Sequence, residues 1–244
     1  MVGDVKGARR PYRSPVRAEQ VEATRRRAVE AATRLFVQHG YARTTVTAVA
    51  EQAGVSPETI YTSLRGKRGL LEGVIEAAIT GPDGAVMLHQ QWVHEVRELP
   101  TASERLRGWV AASCRTLART SPVHAVIRGA ADREEFAVAL RRRLLERRVG
   151  EIVTLAGDLL DGALPAGMTA QEAGERYAAL ASPELFHLLT VEMGWTPQRH
   201  RAWLTETATG QLLAEPGRAA SDTVPRSAAD PRDTPSGVDV TGQW

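Results

Sequence analysis

The chain has 244 residues, 43% of them hydrophobic, and a formal net charge of +2. That length can bury one sizeable core or two small ones, and the single cysteine, Cys114, excludes an intrachain disulfide framework and fits a reducing compartment. With no run of about 18 apolar residues to span a bilayer and no apolar N-terminal segment resembling a secretion signal, the expectation is a soluble, cytoplasmic protein without a membrane partner.

The small net charge hides an asymmetry. Residues 1–70 carry 13 Arg and Lys against 6 Asp and Glu, whereas the remainder carries 18 against 23. A basic front end ahead of an acidic body points to an N-terminal module that faces a polyanion. The competing reading is a set of Arg-rich helices that are merely solvated.

In chain order, residues 1–17 hold two prolines and five basic residues, and read as a flexible basic arm. From Ala18 to His39 the apolar positions Val21, Ala28, Ala31, Ala32, Leu35 and Phe36 recur at helical steps, giving an amphipathic helix that ends at Gly40. A shorter helix is expected from Thr45 to Ala53. Gly54 breaks it, and Ser56-Pro57 starts a third, with Ser as N-cap and Pro at the first helical position. Ser182-Pro183 and Thr196-Pro197 repeat that start signal, and Thr101/Glu104 and Thr169/Glu172 have capping-box spacing. With almost no alternating β-branched stretches, the chain reads as all-α, with nine or ten helices. From Glu215 onward Pro, Ser, Asp, Gly and Thr dominate, the composition of a disordered tail.

The segment around Gly54 has the form of a helix-turn-helix. Val49, Ala50, Ala53, Val55 and Ile60 fall where two short helices must touch, and Gly54 permits the left-handed backbone of a tight turn. With Val55, Ile60 and Leu64 inward, Pro57, Glu58, Tyr61, Thr62 and Arg65 face outward. Such a motif presents the front of its second helix to base edges.

The run RRAVEAATRLFVQHGYARTTVTAVAEQAGVSPETIYTSLRGKRGLL, residues 26–71, resembles the N-terminal DNA-binding domain of the tetracycline repressor (TetR) family of bacterial transcription regulators. Carried over position by position, the resemblance implies phosphate contacts from Thr45 and Tyr61. It also implies that Lys67 anchors the start of a fourth helix to the DNA backbone, and that Pro57, Glu58, Thr59 and Thr62, after the Ser56 cap, lie nearest the bases. Ser63 and Leu64 depart from the His or Tyr and the Phe usual there. Glu58 either accepts from a cytosine amino group or caps its own helix.

The resemblance further implies a C-terminal helical domain that binds an effector and dimerises. The expected boundaries are an arm at 1–17, a DNA-binding domain at 18–70, an effector and dimerisation domain at 71–214 and a tail at 215–244. Trp92, Trp109 and Phe136 are candidates for the wall of an effector pocket, with Cys114 and His124 as soft or polar contacts. Ordinary core packing is the alternative for each. Leu185, Leu188, Leu189, Trp203 and Leu212 are candidates for the dimer interface, again against an intrachain core.

The sequence offers no enzymatic signature: no P-loop, no Gly-x-Ser-x-Gly, and no paired His-x-x-x-His or Cys-x-x-Cys. His89 and His94 are five positions apart and do not share a helical face, so neither a metal nor a cofactor is expected. The resulting expectation is a ligand-responsive repressor that binds a palindromic operator in double-stranded DNA as a homodimer. The alternative is a helical protein-binding adaptor, which would not need the basic front end.

Overall fold

The computed structural model describes residues 15–81, 84 and 87–214, with side chains from residue 19. The 215–244 tail and residues 1–14 of the basic arm lie outside the described residues. The described chain is helical, with no strand. The elements are α1 (Pro15–Arg43), α2 (Val46–Ala53), α3 (Pro57–Leu64), α4 (Lys67–Thr80), a 3-10 turn (Met87–His89), α5 (Gln91–Arg97), α6 (Ala102–Ala131), α7 (Glu135–Leu160), α8 (Ala170–Leu180), α9 (Pro183–His187), a π turn (Leu188–Glu192) and α10 (Pro197–Leu212).

Helix α1 begins at Pro15, inside the segment expected to be an arm, and bends at Gly40, whose φ of 77° is non-helical. Buried Thr44 holds the bend by donating its hydroxyl to Leu35 O and Gly40 O. Val21, expected on the apolar face, is instead exposed, because burial along α1 begins only further on, at Ala28.

The caps form as local chemistry dictates. Thr45, Ser56, Thr169, Ser182 and Thr196 each accept a backbone N–H from the first turn of the helix they precede. Thr101 and Glu104 complete a reciprocal capping box. Gly54 takes the left-handed conformation at φ 65° and ends α2.

Two apolar clusters form the core. The first joins α1, α2 and α3 to α4, and extends to Val123, Val126, Ile127 and Ala130 of α6 and to Ala137 and Leu140 of α7. The second is built by α5 to α10 around Leu106, Trp109, Leu155, Leu159, Tyr177 and Leu204. The helix-turn-helix therefore shares its core with the helices behind it, and residue 70 falls within α4 rather than between cores.

Close approach between α7 and α8 depends on Gly174, where a Cβ would stand 2.6 Å from Val153 Cα. Gly174→Ala should therefore lower stability by about 1–3 kcal/mol in chemical denaturation. Gly210→Ala, with open space around its position in α10, should be neutral or raise stability by up to about 1 kcal/mol. Equal effects would contradict the packing argument.

Candidate DNA interface and interior cavity

Helices α2 and α3 meet through Val49, Ala50, Ala53 and Ile60, all buried, with Val55 half-buried beside them. The opposite face of α3 is polar and open. Ser56, Glu58, Tyr61, Thr62 and Arg65 are exposed, Pro57 and Thr59 are half-buried, and Thr45 stands exposed at the front of α2. The Tyr61 ring is 60% exposed, a large aromatic surface with nothing covering most of it.

Local hydrogen bonds restrict what these groups have left to offer. The Thr45 and Ser56 hydroxyl oxygens accept from Ala48 N and Thr59 N. Thr62 donates its hydroxyl within α3, to Glu58 O at 2.9 Å and Thr59 O at 3.1 Å, which leaves its oxygen as an acceptor and its methyl as an apolar contact. Glu58 is fully exposed, and hydrogen bonds from its own backbone N–H and from Ser56 hold its carboxyl below the usual range. Those contacts are the capping arrangement that its place in the first turn of α3 made one of two readings.

Lys67 is less open than a surface lysine. Its Nζ donates to Ala42 O at 3.2 Å and lies 4.4 Å from the centre of the Tyr41 ring, and burial pushes its pKa down. Beside it, Arg68 stacks over Phe136 at 4.9 Å, and Phe136 meets Tyr41 at 6.0 Å. Phe136 thus belongs to the junction of α1, α4 and α7. It does not line the interior cavity, because it lies at the first turn of α7, whereas the cavity begins two turns later at Leu144.

The cavity lies among α4, α5, α6 and α7, with Ala181 and Pro183 of the α8–α9 junction, is partly open to solvent and has a volume of about 80 Å³. Trp92 and Trp109 are in its wall, as expected, and so is His124. Ile79 from the end of α4, Met87, Leu117, Leu144 and Ile152 add apolar surface, and Ser113, Thr116, Thr120, Arg147, Arg148 and Glu151 are polar. Trp109 is fixed by stacking on buried Tyr177 at 3.9 Å, and Tyr177 donates its hydroxyl to Ser113 Oγ at 2.8 Å. Trp92 donates its ring N–H to Gln90. Cys114 lies outside the cavity wall; its Sγ is 3.6 Å from His200 Nδ1, and burial pushes its thiol pKa up.

Sequence reasoning passed over Arg119 and Arg148. Arg119 of α6 donates to Ala78 O near the end of α4 at 2.7 Å, and Arg148 of α7 donates to Ala178 O and Ala181 O at the end of α8. Nothing local distinguishes either from the solvated arginines around it.

The expected dimer residues divide. Leu212 is fully buried in the intrachain core, because α10 packs onto α6, and Leu189, 7% exposed, is buried in the π turn, which packs against α9 and α10. Leu185 and Trp203 are half-buried, while Leu188 is 41% exposed and is followed by exposed Val191 and Met193. Val138 and Leu145, seven apart on α7, are also exposed. Between them Arg141 forms an ion pair with Glu184 of α9 at 3.6 Å.

His124 and His200 both have lowered pKa values, first through burial; at His124 the Glu184 carboxylate opposes the shift and Arg148, Arg141 and Arg128 add to it. His200 Nε2 is buried without a hydrogen-bond partner among the described residues. Protonation is easier in the unfolded chain, near 6.5, than in the fold, so stability should fall as pH drops below that value and level off beneath the folded pKa values. Glu151, whose carboxyl pKa is raised by burial, opposes this only nearer the carboxylate range. Thermal melts between about pH 7.5 and 5.5 should show the decline, and His124→Asn with His200→Asn should flatten it. An unchanged slope would contradict the assignment.

Residues 28–74 match the model of the bacterial regulatory proteins of the tetR family. No curated protein matches the chain in sequence. Among solved structures, a TetR-family transcriptional regulator from Rhodococcus sp. is similar with a TM-score of 0.62 at 20% identity, over 78% of this chain and 99% of that one. A transcriptional regulator from Saccharomonospora viridis, solved in complex with choline, gives 0.62 at 21% identity over 80% and 100%. NalD, the secondary repressor of the MexAB-OprM multidrug efflux pump in Pseudomonas aeruginosa, gives 0.55 at 18% identity over 80% and 98%. The match to the tetR-family model thus falls on the helix-turn-helix and the first part of α4, and the described chain shares the all-α fold of these solved structures.

Proposed function

We propose that the protein is a ligand-responsive repressor that binds a palindromic operator as a homodimer and releases it when a small molecule fills the interior cavity. The observation that carries this reading is the course of α4. At 14 residues it is about 21 Å long, it starts at Lys67 beside the helix-turn-helix, and its Ile79 stands in the cavity wall. Arg119 holds the far end of α4 to α6, so a ligand that alters the α4–α6 spacing tilts the DNA-binding helices. Two half-sites one helical turn apart tolerate little change in that tilt. The choline complex of the Saccharomonospora viridis regulator supports the use of this fold to hold a small molecule.

On DNA, α3 enters the major groove with Pro57, Glu58, Thr59 and Thr62 foremost, after the Ser56 cap, while Thr45 and Tyr61 meet phosphates. Lys67 contributes from its fixed seat, with the ammonium N–H groups that Ala42 O does not use. In mobility shifts across a salt series, Lys67→Ala should weaken operator and random DNA alike and lower the salt slope by about one per half-site. Thr62→Ala should cost about 1–3 kcal/mol on the operator and relax one base pair in each half-site, with random DNA nearly unaffected. Equal losses of Thr62→Ala on both DNAs would remove α3 from sequence reading.

The strip formed by Val138, Leu145, Leu188 and Val191 is the dimer face in this reading, with half-buried Leu185 and Trp203 beside it. Leu188→Glu combined with Val191→Glu should shift sedimentation from dimer to monomer and abolish binding to the full palindrome. Leu212→Ala should instead destabilise the fold by about 2–5 kcal/mol, as a large-to-small change in the core. A Leu188→Glu/Val191→Glu protein that remained dimeric would place the interface elsewhere.

A further inference from the structure

The cavity carries an unbalanced charge. Arg147 forms an ion pair with Glu151 at 3.2 Å, and nearby Glu184 is engaged by Arg141. Arg148 has no carboxylate within ion-pair distance among the described residues, and the more distant Glu184, held by Arg141, offsets its charge only in part. One of its terminal nitrogens donates to Ala178 O at 3.0 Å and Ala181 O at 2.6 Å, which fixes the guanidinium against the end of α8. The partial negative charge of a helix end offsets part of the cation, and the other guanidinium N–H groups have no partner among the described residues. A part-buried cation of this kind favours an anion strongly, because water screens it poorly.

The rest of the wall sets the remainder of the ligand. Trp92, Trp109, Leu117 and Ile152 offer apolar and aromatic surface, and Thr120 a hydroxyl. A cation would find aromatic rings here, but it would also meet Arg147 and Arg148 within the same small volume. About 80 Å³ holds roughly six water-sized centres, which suits a small acid rather than a drug-sized molecule.

We propose that the effector is a small organic acid with an apolar body, its carboxylate held by Arg148 and its body against Trp92 and Trp109. This rests on the reading of the cavity as the effector site. His124, held toward its neutral form by burial and, against the opposing charge of Glu184, by Arg148, Arg141 and Arg128, adds no competing anion and is free to donate one ring N–H.

The test is a titration of the full-length dimer followed by tryptophan fluorescence, with straight-chain acids from butanoate to decanoate, and with hexanamide and hexylamine as neutral and cationic counterparts of hexanoate. At least one acid should saturate the signal and bind about tenfold or more tighter than its amide, a ratio expected for one charge-assisted hydrogen bond; the amine should be weakest. Arg148→Gln should abolish the preference for acid over amide. Glu151→Gln, which removes the cavity's one carboxylate and releases Arg147, should tighten acid binding several-fold, so the inference does not depend on Arg148→Gln folding well. Equal binding of amide or amine, failure of every acid to saturate, or unchanged acid affinity in Glu151→Gln would overturn it. A parallel mobility shift separates the two claims: an acid that binds as expected but leaves operator affinity unchanged refutes ligand-responsive repression and leaves the ligand class standing.

Discussion

The burial of α4 between α1 and α6 is the constraint on which the rest of the structure depends. Leu70, Leu71, Val74 and Ile75 lose nearly all of their exposure there, each a contribution of about 1.5–3 kcal/mol, and they do so against helices from both halves of the chain. An α4 that belonged to one half alone would leave a free hinge between the helix-turn-helix and the body. Here the two ends of one rigid helix are tied separately. Lys67 rests on Tyr41 and Ala42 at the front, and Ala78 accepts from Arg119 at the back.

The same device recurs elsewhere in the body. Three arginines on long helices each reach the carbonyls at the end of a neighbouring helix: Arg105 to Leu159 O on α7, Arg119 to Ala78 O on α4, and Arg148 to Ala178 O and Ala181 O near α8. The last carbonyls of a helix lack intrahelical partners and carry its negative dipole end, so a guanidinium satisfies both needs at once. It also explains why an Arg-rich chain shows few tight ion pairs inside: the interior arginines are spent on backbone. Surface pairs such as Arg26–Glu30 at 4.0 Å add little by comparison.

What the sequence disclosed divides along this line. Helix starts were legible because a cap is settled within four residues, as at Ser56, Thr101, Ser182 and Thr196, and the turn at Gly54 was legible because left-handed backbone favours glycine. The outward face of α3 followed from helical period alone. Helical period says which residues are buried but not against which neighbour, and there the reading failed. Phe136 packs at the α1–α4 junction instead of the cavity, Leu212 serves the intrachain core, and Leu189 is buried within the chain instead of on a free face. Arg119 and Arg148 left no trace, since their partners are carbonyls 41 and at least 30 residues away.

The proposed switch through α4 would work on a modest free energy. Moving a two-state equilibrium from 1:99 to 99:1 takes about 5.5 kcal/mol of differential affinity. A ligand of about eight heavy atoms gains at most about 1.5 kcal/mol per atom, and only the part that distinguishes the two states counts. One charge-assisted hydrogen bond, such as that from Arg119 to Ala78 O, contributes about 1.5–3 kcal/mol. Loss of that clamp in one state, together with repacking of Ile79 against a filled cavity, has the size required. In the proposed switch the Leu70–Ile75 face, several times larger in energy, would stay buried in both states, and α4 would move as a rigid body about its buried middle, carrying displacement at Ile79 to Lys67 without unfolding.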